Sequence, residues 1–410
     1  MSRNGQAEAA RDARRMLRPL KEDIVRLAQK LVQTNSVAVP PDGSETVAQK
    51  ILQKFLKAHG LDAELYDLAF LARSNHPYVR RERHYAGRHN LIARLSGRGR
   101  GRSLLLSGHM DTVPAGRGAW KESPWSGVIR GGRLYGRGSY DMKGGLAAAF
   151  AVMVALKRAG VRLGGDLLCE SVIDEEWAGG GGTLAGRLRG DLEDACVIPE
   201  PTDLSIFRAS RGGYFFDLQV RAGDARSYFS KGEVVSPVLP LGRLLGWIDF
   251  WSNKRKQIAR GEAYKGFTDP APVQVLAVEA NHFDADIPWS VPLMARVRVY
   301  FQFLPHEDVG VVMREVRESL RSFCELDQFF SQYRPEWKAI VDPPLLGHEL
   351  PIDHEWTQTL LRCATASLGT APPVTAAPPV AARRRTSATA CGSPRATPTA
   401  TSARTSSGSR

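Results

Sequence analysis

The chain has 410 residues, 43% hydrophobic and 24% charged, the make-up of a soluble globular protein long enough for two domains and a large core. Its formal charge of +13 invites a nucleic-acid partner, but no Asp or Glu follows Glu355, while Arg362, Arg383, Arg384, Arg385, Arg395, Arg404 and Arg410 do. The remaining body is only mildly basic and carries no nucleic-acid motif, which argues against such a partner. No run approaches the ~18 apolar residues of a membrane span, and the basic stretch 1–18 lacks the apolar centre of a secretory signal. Five dispersed cysteines (Cys169, Cys196, Cys324, Cys363 and Cys391) fit reduced thiols in a cytoplasmic protein.

In chain order, residues 20–34 place Ile24, Leu27, Ala28, Leu31 and Val32 on one helical face, and Ser44-Glu45-Thr46 starts a second helix through Leu56. Residues 61–66 alternate as a strand. Residues 73–89 are polar and rich in arginine, which predicts a surface excursion near the mouth of a site, and its His76, His84 and His89 read as poor ligand candidates. Residues 90–95 and 104–106 read as strands, the second delivering His109 and Asp111 to a sheet edge. In open α/β sheets that edge is where ligands sit. A loop at 120–125 and a hairpin at 127–135 are expected to shape the pocket. Residues 143–159 form a small-residue helix suited to close packing on the sheet. Residues 166–173 and 195–198 are further strands, and Gly179 to Gly182 reads as a tight loop because it lacks the Gly-Lys-Ser/Thr ending of a phosphate cradle.

From Arg208 the character changes. Strands at 214–220, 274–279 and 293–303 and helices at 239–256 and 307–326 come in the order strand, helix, strand, strand, helix, a small α+β sandwich. Residues 337–341 and 356–368 read as the chain returning to its first domain. The expected division is therefore 19–207 and 327–375 as two parts of an α/β catalytic domain, 208–326 as an inserted α+β domain, and 376–410 as a basic tail without periodicity.

The chemistry collects around His109. Asp111 lies two residues on, Asp141 sits in Gly-Arg-Gly-Ser-Tyr-Asp-Met-Lys-Gly-Gly, Glu175 and Glu176 follow one strand, and Glu200 stands in Ile-Pro-Glu-Pro. Singly these have plain readings: a loop histidine, a helix cap at Asp141, a solvated Glu-Glu turn. Together they do not, because adjacent carboxylates repel each other unless a cation or proton compensates. One imidazole with several carboxylates is a donor set for zinc, cobalt or manganese. If extended, Glu175 and Glu176 point opposite ways, so one can ligate while the other faces substrate.

Gly-His-Met-Asp-Thr-Val-Pro, the Asp141 motif, Asp-Glu-Glu and the later Glu-Pro, in this order, resemble the di-zinc amidohydrolase and peptidase family of acetylornithine deacetylase, succinyl-diaminopimelate desuccinylase, aminoacylase and glutamate carboxypeptidase. The resemblance spans roughly residues 20–375. It implies a zinc-peptidase-like catalytic domain with a central mixed sheet and an inserted ferredoxin-like lid that also forms a homodimer. It implies two Zn2+ per subunit, with Co2+ or Mn2+ as substitutes. His109, Asp141 and Glu200 would hold one metal, Asp141 would bridge to a second held by Glu176, Glu175 would be the general base, and Asp111 would orient His109. The implied reaction is hydrolysis of an amide in an N-acyl amino acid, with a dipeptidase or carboxypeptidase acting on short peptides as the alternative, and a non-catalytic binding protein derived from the enzyme as another.

Three departures from the family pattern stand out. The lid usually carries a histidine in a Gly…His-Ser pattern, but here residues 222–228 offer Arg226, and no histidine lies between His109 and His282. Gln302 stands where a family arginine grips a substrate carboxylate. No histidine follows His354, although the family ends on one that completes the second metal site. The abrupt switch to Ala, Arg, Thr, Ser and Pro from about Pro378 suggests a reading frame lost near 376–379, the plainer alternative being a disordered basic tail. With this sequence the second metal would keep Asp141 and Glu176 alone, and activity would be impaired or absent.

Overall fold

The computed structural model describes residues 3–223, 235–280 and 291–378. Helix α1 (Arg3–Leu17) leads into α2 (Lys21–Gln33), which buries Leu27, Ala28, Leu31 and Val32 at the expected helical spacing. The short strands β1 (Ala38–Val39) and β2 (Asp42–Gly43) precede α3 (Thr46–Ala58). Strands β3 (Ala63–Asp67), β4 (His89–Leu95) and β5 (Leu104–His109) follow, then the hairpin β6 (Val128–Arg130) and β7 (Arg133–Tyr135). Helix α4 (Gly144–Arg158), strand β8 (Leu167–Val172), helix α5 (Thr183–Arg189) and strand β9 (Ala195–Val197) complete this part.

Five strands make one mixed sheet in the order β3-β4-β8-β5-β9; β3, β4 and β8 are antiparallel, while β8, β5 and β9 run parallel. Every residue of the central strand β8 is buried, as a strand covered on both faces requires. One face packs Leu31, Leu52, Leu91 and Phe150. The other packs Tyr66, Leu105, Leu168 and Ile173.

The arginine-rich stretch 73–89 is only in part the expected surface excursion, with Arg73, Arg81, Glu82 and His84 exposed. Val79, Arg80, Arg83, Tyr85 and Arg88 are buried in it. The reason is electrostatic: Arg83 and Arg88 meet buried carboxylates and Arg80 the Asp342 carbonyl, all from distant parts of the chain, so a composition that reads as solvent-facing finds partners inside.

Strand β10 (Ile206–Ser210) leads into β11 (Gly212–Arg221), α6 (Val238–Lys256), β12 (Val273–Glu279), β13 (Met294–Phe303), α7 (Val309–Leu326) and β14 (Glu336–Ala339). The second sheet is antiparallel throughout, in the order β12-β13-β11-β14. Strand, helix, strand, strand, helix, strand in that order is the ferredoxin-like arrangement. Phe216, Leu218, Val297 and Val299 from the sheet pack with Leu244, Ile248 and Trp251 of α6 and with Val316 and Leu320 of α7.

Residues 337–341 differ from expectation. They do not return to the first domain but supply β14, paired with β11 from Phe216↔Ala339 to Gln219↔Glu336. Trp337 stacks on Phe216 with ring centroids 3.6 Å apart. A short, largely exposed edge strand shows too little alternation to be read from sequence. The return comes with β15 (His348–Glu349), α8 (Glu355–Leu368) and β16 (Val374–Ala376); β10 pairs antiparallel with β15 and parallel with β16. Arg226, His282 and the tail from residue 379 lie outside the described residues. Among the described residues no helix is long and apolar enough to cross a membrane.

Candidate metal centre

Strands β5, β8 and β9 end at one edge of the sheet, and apart from Asp141 the site is assembled from residues at or just beyond those ends. His109 is the last residue of β5, with Asp111 just beyond; Glu175 and Glu176 open the turn after β8; Glu200 lies just past β9. Asp141 sits in a non-helical turn before α4, joined to Met142 by a cis peptide bond, and does not cap that helix.

His109 is buried. Its Nδ1 lies 2.9 Å from the Asp111 carbonyl oxygen, which can only accept, so Nδ1 carries the proton and donates it. The Asp111 carboxylate is 3.5 Å from the same nitrogen. That carboxylate also accepts from the backbone N–H of Glu175 (3.2 Å) and of Glu176 (3.1 Å), tying the end of β5 to the glutamate turn. With Nδ1 committed, Nε2 faces Asp141 Oδ1 at 3.1 Å, Glu200 Oε1 at 3.7 Å and Glu175 Oε2 at 3.8 Å.

The potential donor atoms form two groups, His109 with Glu175 and Glu200, and His109 with Asp141 and Glu176, each within 4.8 Å. The structure thus brings together His109, Asp141, Glu175, Glu176 and Glu200: Asp141 groups with Glu176, the pair that the resemblance assigns to the second metal, while Glu175, expected to be the general base, stands beside Glu200. Burial pushes the Glu176 carboxyl up to about 7, with Asp141, Glu175 and Asp111 adding to the effect and His109 opposing it. Burial works against a charge on His109, yet Asp111 and Asp141 outweigh it and raise the imidazole well above its usual value. Negative charge concentrated around a single nitrogen contributes to both shifts, and a divalent cation would relieve it. An imidazole in a fixed tautomer, aimed at carboxylates, fits zinc, cobalt or manganese.

Other residues support the centre. Lys143 is buried and its Nζ donates to the Leu31 (2.7 Å) and Thr34 (3.0 Å) carbonyl oxygens, closing the C-terminal end of α2 beneath the Asp141 turn. Burial brings its ammonium down to about 7. A Cβ on Gly145 would lie 2.0 Å from the Pro199 carbonyl oxygen, so only glycine lets α4 pass this close to the Glu200 segment. Asp174, the first residue of the Asp-Glu-Glu motif, has no role that its sequence position alone suggests; it is buried and held by Arg83 and Arg88. His84 instead pairs with Asp42 at 2.9 Å, His89 faces Thr46 at 3.4 Å, and His354 accepts from Trp356 N–H at the start of α8. None of them, nor His76, joins a donor group among the described residues. Gln302 is buried and donates to Gln274 Oε1 at 3.2 Å.

Residues 105–403 match the Peptidase family M20/M25/M40. The chain belongs to that family. Over 119 residues this M20 chain is 42% identical to a succinyl-diaminopimelate desuccinylase of Methylobacterium radiotolerans, covering 28% of this chain and 30% of the relative. Over 329 residues it is 29% identical to the N-formyl-4-amino-5-aminomethyl-2-methylpyrimidine deformylase of Bacillus subtilis, covering 78% of this chain and 72% of that one. The solved structure of the di-peptidase Dug1p from Saccharomyces cerevisiae shares the fold, with a TM-score of 0.69 at 16% identity over 92% of this chain and 87% of that one.

Proposed function

We propose that this M20-family chain is a metal-dependent amidohydrolase that removes the acyl group from an N-acyl amino acid or a related N-acyl amine. The observation that carries the reading is the convergence of His109, Asp141, Glu175, Glu176 and Glu200 on one sheet edge. Relatives named for desuccinylation and for deformylation of an N-formyl compound support an acyl group as the part removed.

His109, Asp141, Glu176 and Glu200 would hold Zn2+, with Co2+ or Mn2+ as substitutes. A pair of such ions supplies Lewis acidity, polarising the scissile carbonyl and acidifying a water. Asp111 keeps the His109 ring in one tautomer and one orientation. Of the two adjacent glutamates, Glu175 is exposed and Glu176 is half-buried, which supports ligation by Glu176 and proton transfer by Glu175. Glu175 takes a proton from the attacking water as the new C–O bond forms, then passes it to the amide nitrogen as the C–N bond breaks. The products are a carboxylate and an amine.

Dispersed cysteines, of which Cys169, Cys196, Cys324 and Cys363 are free, support a reducing cytoplasmic setting. Exposed Val275, Leu276 and Val278 on the edge strand β12 support pairing of lids in a homodimer, which sedimentation tests.

The deciding experiment is turnover of N-succinyl, N-formyl and N-acetyl amino acids beside a dipeptide panel, before and after chelation and with Zn2+, Co2+ or Mn2+ restored. Acyl substrates are expected to turn over only with metal. Preference for dipeptides moves the assignment to a dipeptidase. Tight metal binding with no turnover of any substrate, by this chain and by a version with the reading frame restored, overturns the enzymatic reading.

A further inference from the structure

We infer that Arg83 and Arg88 are positioning residues for the metal centre, acting through Asp174. The inference rests on the hydrolase reading proposed for this site. Asp174 immediately precedes Glu175 and Glu176, is buried, and has φ of 59°, the left-handed region that Asp tolerates better than most side chains and that turns the chain sharply here. Its carboxylate is gripped by two guanidinium groups: Arg83 through Nε (3.1 Å to Oδ2) and Nη2, and Arg88 through Nη1 (3.1 Å to Oδ2) and Nη2 (2.6 Å to Oδ1). Arg88 also grips Glu45, just before α3, through Nε at 3.2 Å and through Nη2. All four side chains are almost fully buried, and two cations balance two carboxylates.

A buried ion network of this kind adds little stability over a well-packed apolar cluster, because desolvation offsets its attraction. What planar guanidinium forks do supply is geometry. That geometry has a direct route to the site. The Asp174 carbonyl accepts from Trp177 N–H (3.1 Å) and Gly179 N–H (2.8 Å), closing the turn that carries both glutamates. The Glu175 and Glu176 N–H groups then bind Asp111, which holds His109. Glu45 and the arginines thus stand at the far end of one continuous chain of contacts ending on a candidate ligand. Gly181 packs against this clamp, since a Cβ there would lie 2.8 Å from Asp174 Oδ2 and 2.6 Å from the Tyr85 ring.

The test is Arg83→Lys and Arg88→Lys, which keep the charge and lose the fork, with Glu45→Gln as a milder variant should either lysine protein fail to fold. Three quantities are measured: affinity for Co2+ by chelator competition, the visible absorption spectrum of the Co2+ form, and kcat and KM separately. The expected result is Co2+ affinity down by about 10-fold or more, an altered spectrum, and a lower kcat at nearly unchanged KM. Wild-type affinity, spectrum and kcat in folded variants, with only Tm reduced, overturn the inference and leave the clamp structural. Absence of Co2+ binding by the unmutated protein is a distinct result, which removes the metal-centre reading itself.

Discussion

His109 shows how much one side chain's surroundings decide. A carbonyl fixes the proton on Nδ1, three carboxylates surround Nε2, and the Asp111 carboxylate links the ring to the turn bearing both glutamates. Glu175→Gln keeps shape and removes the proton acceptor. It is expected to bind metal as the parent does while kcat falls by ~100-fold to 10,000-fold, the usual worth of a positioned base. Metal analysis beside steady-state kinetics checks this; unchanged kcat would reassign the base, and lost metal would make Glu175 a ligand, as its place beside Glu200 allows. Asp111→Asn leaves the carbonyl contact to Nδ1 intact and removes the carboxylate charge. Metal affinity is expected to drop roughly 10-fold to 100-fold, measurable by titration. These residues were legible because His109, Glu175, Glu176 and Glu200 each follow a strand, Asp141 stands in a Gly-rich motif, and so many carboxylates call for a compensating cation or proton. Arg83, Arg88 and Asp174 were not, since their meaning lies in contacts between residues far apart in sequence, and polar composition alone points outward.

Elements place those side chains, and small features set how closely they approach. The start of α4 runs against Pro199 with no room for a Cβ at Gly145. Gly145→Ala improves helix propensity yet forces the Pro199–Glu200 segment aside. The expected outcome is weaker metal binding in a folded protein; parent-like affinity would show that the segment yields freely. In the ferredoxin-like insertion, Asp308 caps α7 by accepting from Val311 N–H at 3.0 Å, and Asp308→Ala should cost ~1 kcal/mol in urea unfolding without altering kcat. At the other end of α7, Arg243 and the N–H groups of Phe330 and Phe329 hold the Asp327 carboxyl at about 2, against the opposing effect of its burial. A depressed value means the stabilisation is fully present above the ordinary carboxyl range and lost as pH falls through about 2. Asp327→Asn should therefore lower Tm at neutral pH, with the gap to the parent closing in acid. A gap that stays constant down to pH ~2 would contradict the assignment. Helices and buried strands were readable from periodicity; β14 was not, because its place depends on pairing with β11 rather than on its own pattern.

At the scale of the whole molecule, one mixed sheet presents the donors while the second sheet is an insertion between β10 and the returning β15 and β16. The order of elements made this architecture legible, since strand, helix, strand, strand, helix leaves few topologies open. The number of metals held is harder, because both donor groups among the described residues share His109. One imidazole nitrogen serves one ion, so among the described residues the second ion draws on carboxylates alone unless a further donor comes from outside them. Metal analysis should accordingly find one tightly held ion per chain and a second removed by mild chelation. A version with the reading frame restored from near codon 376 is expected to hold two ions tightly and to turn over substrate faster. Two tight ions and equal turnover in both proteins would overturn the frame-loss account and assign the missing donor to this chain's own residues. The comparison separates a site weakened at one ligand from one complete as it stands.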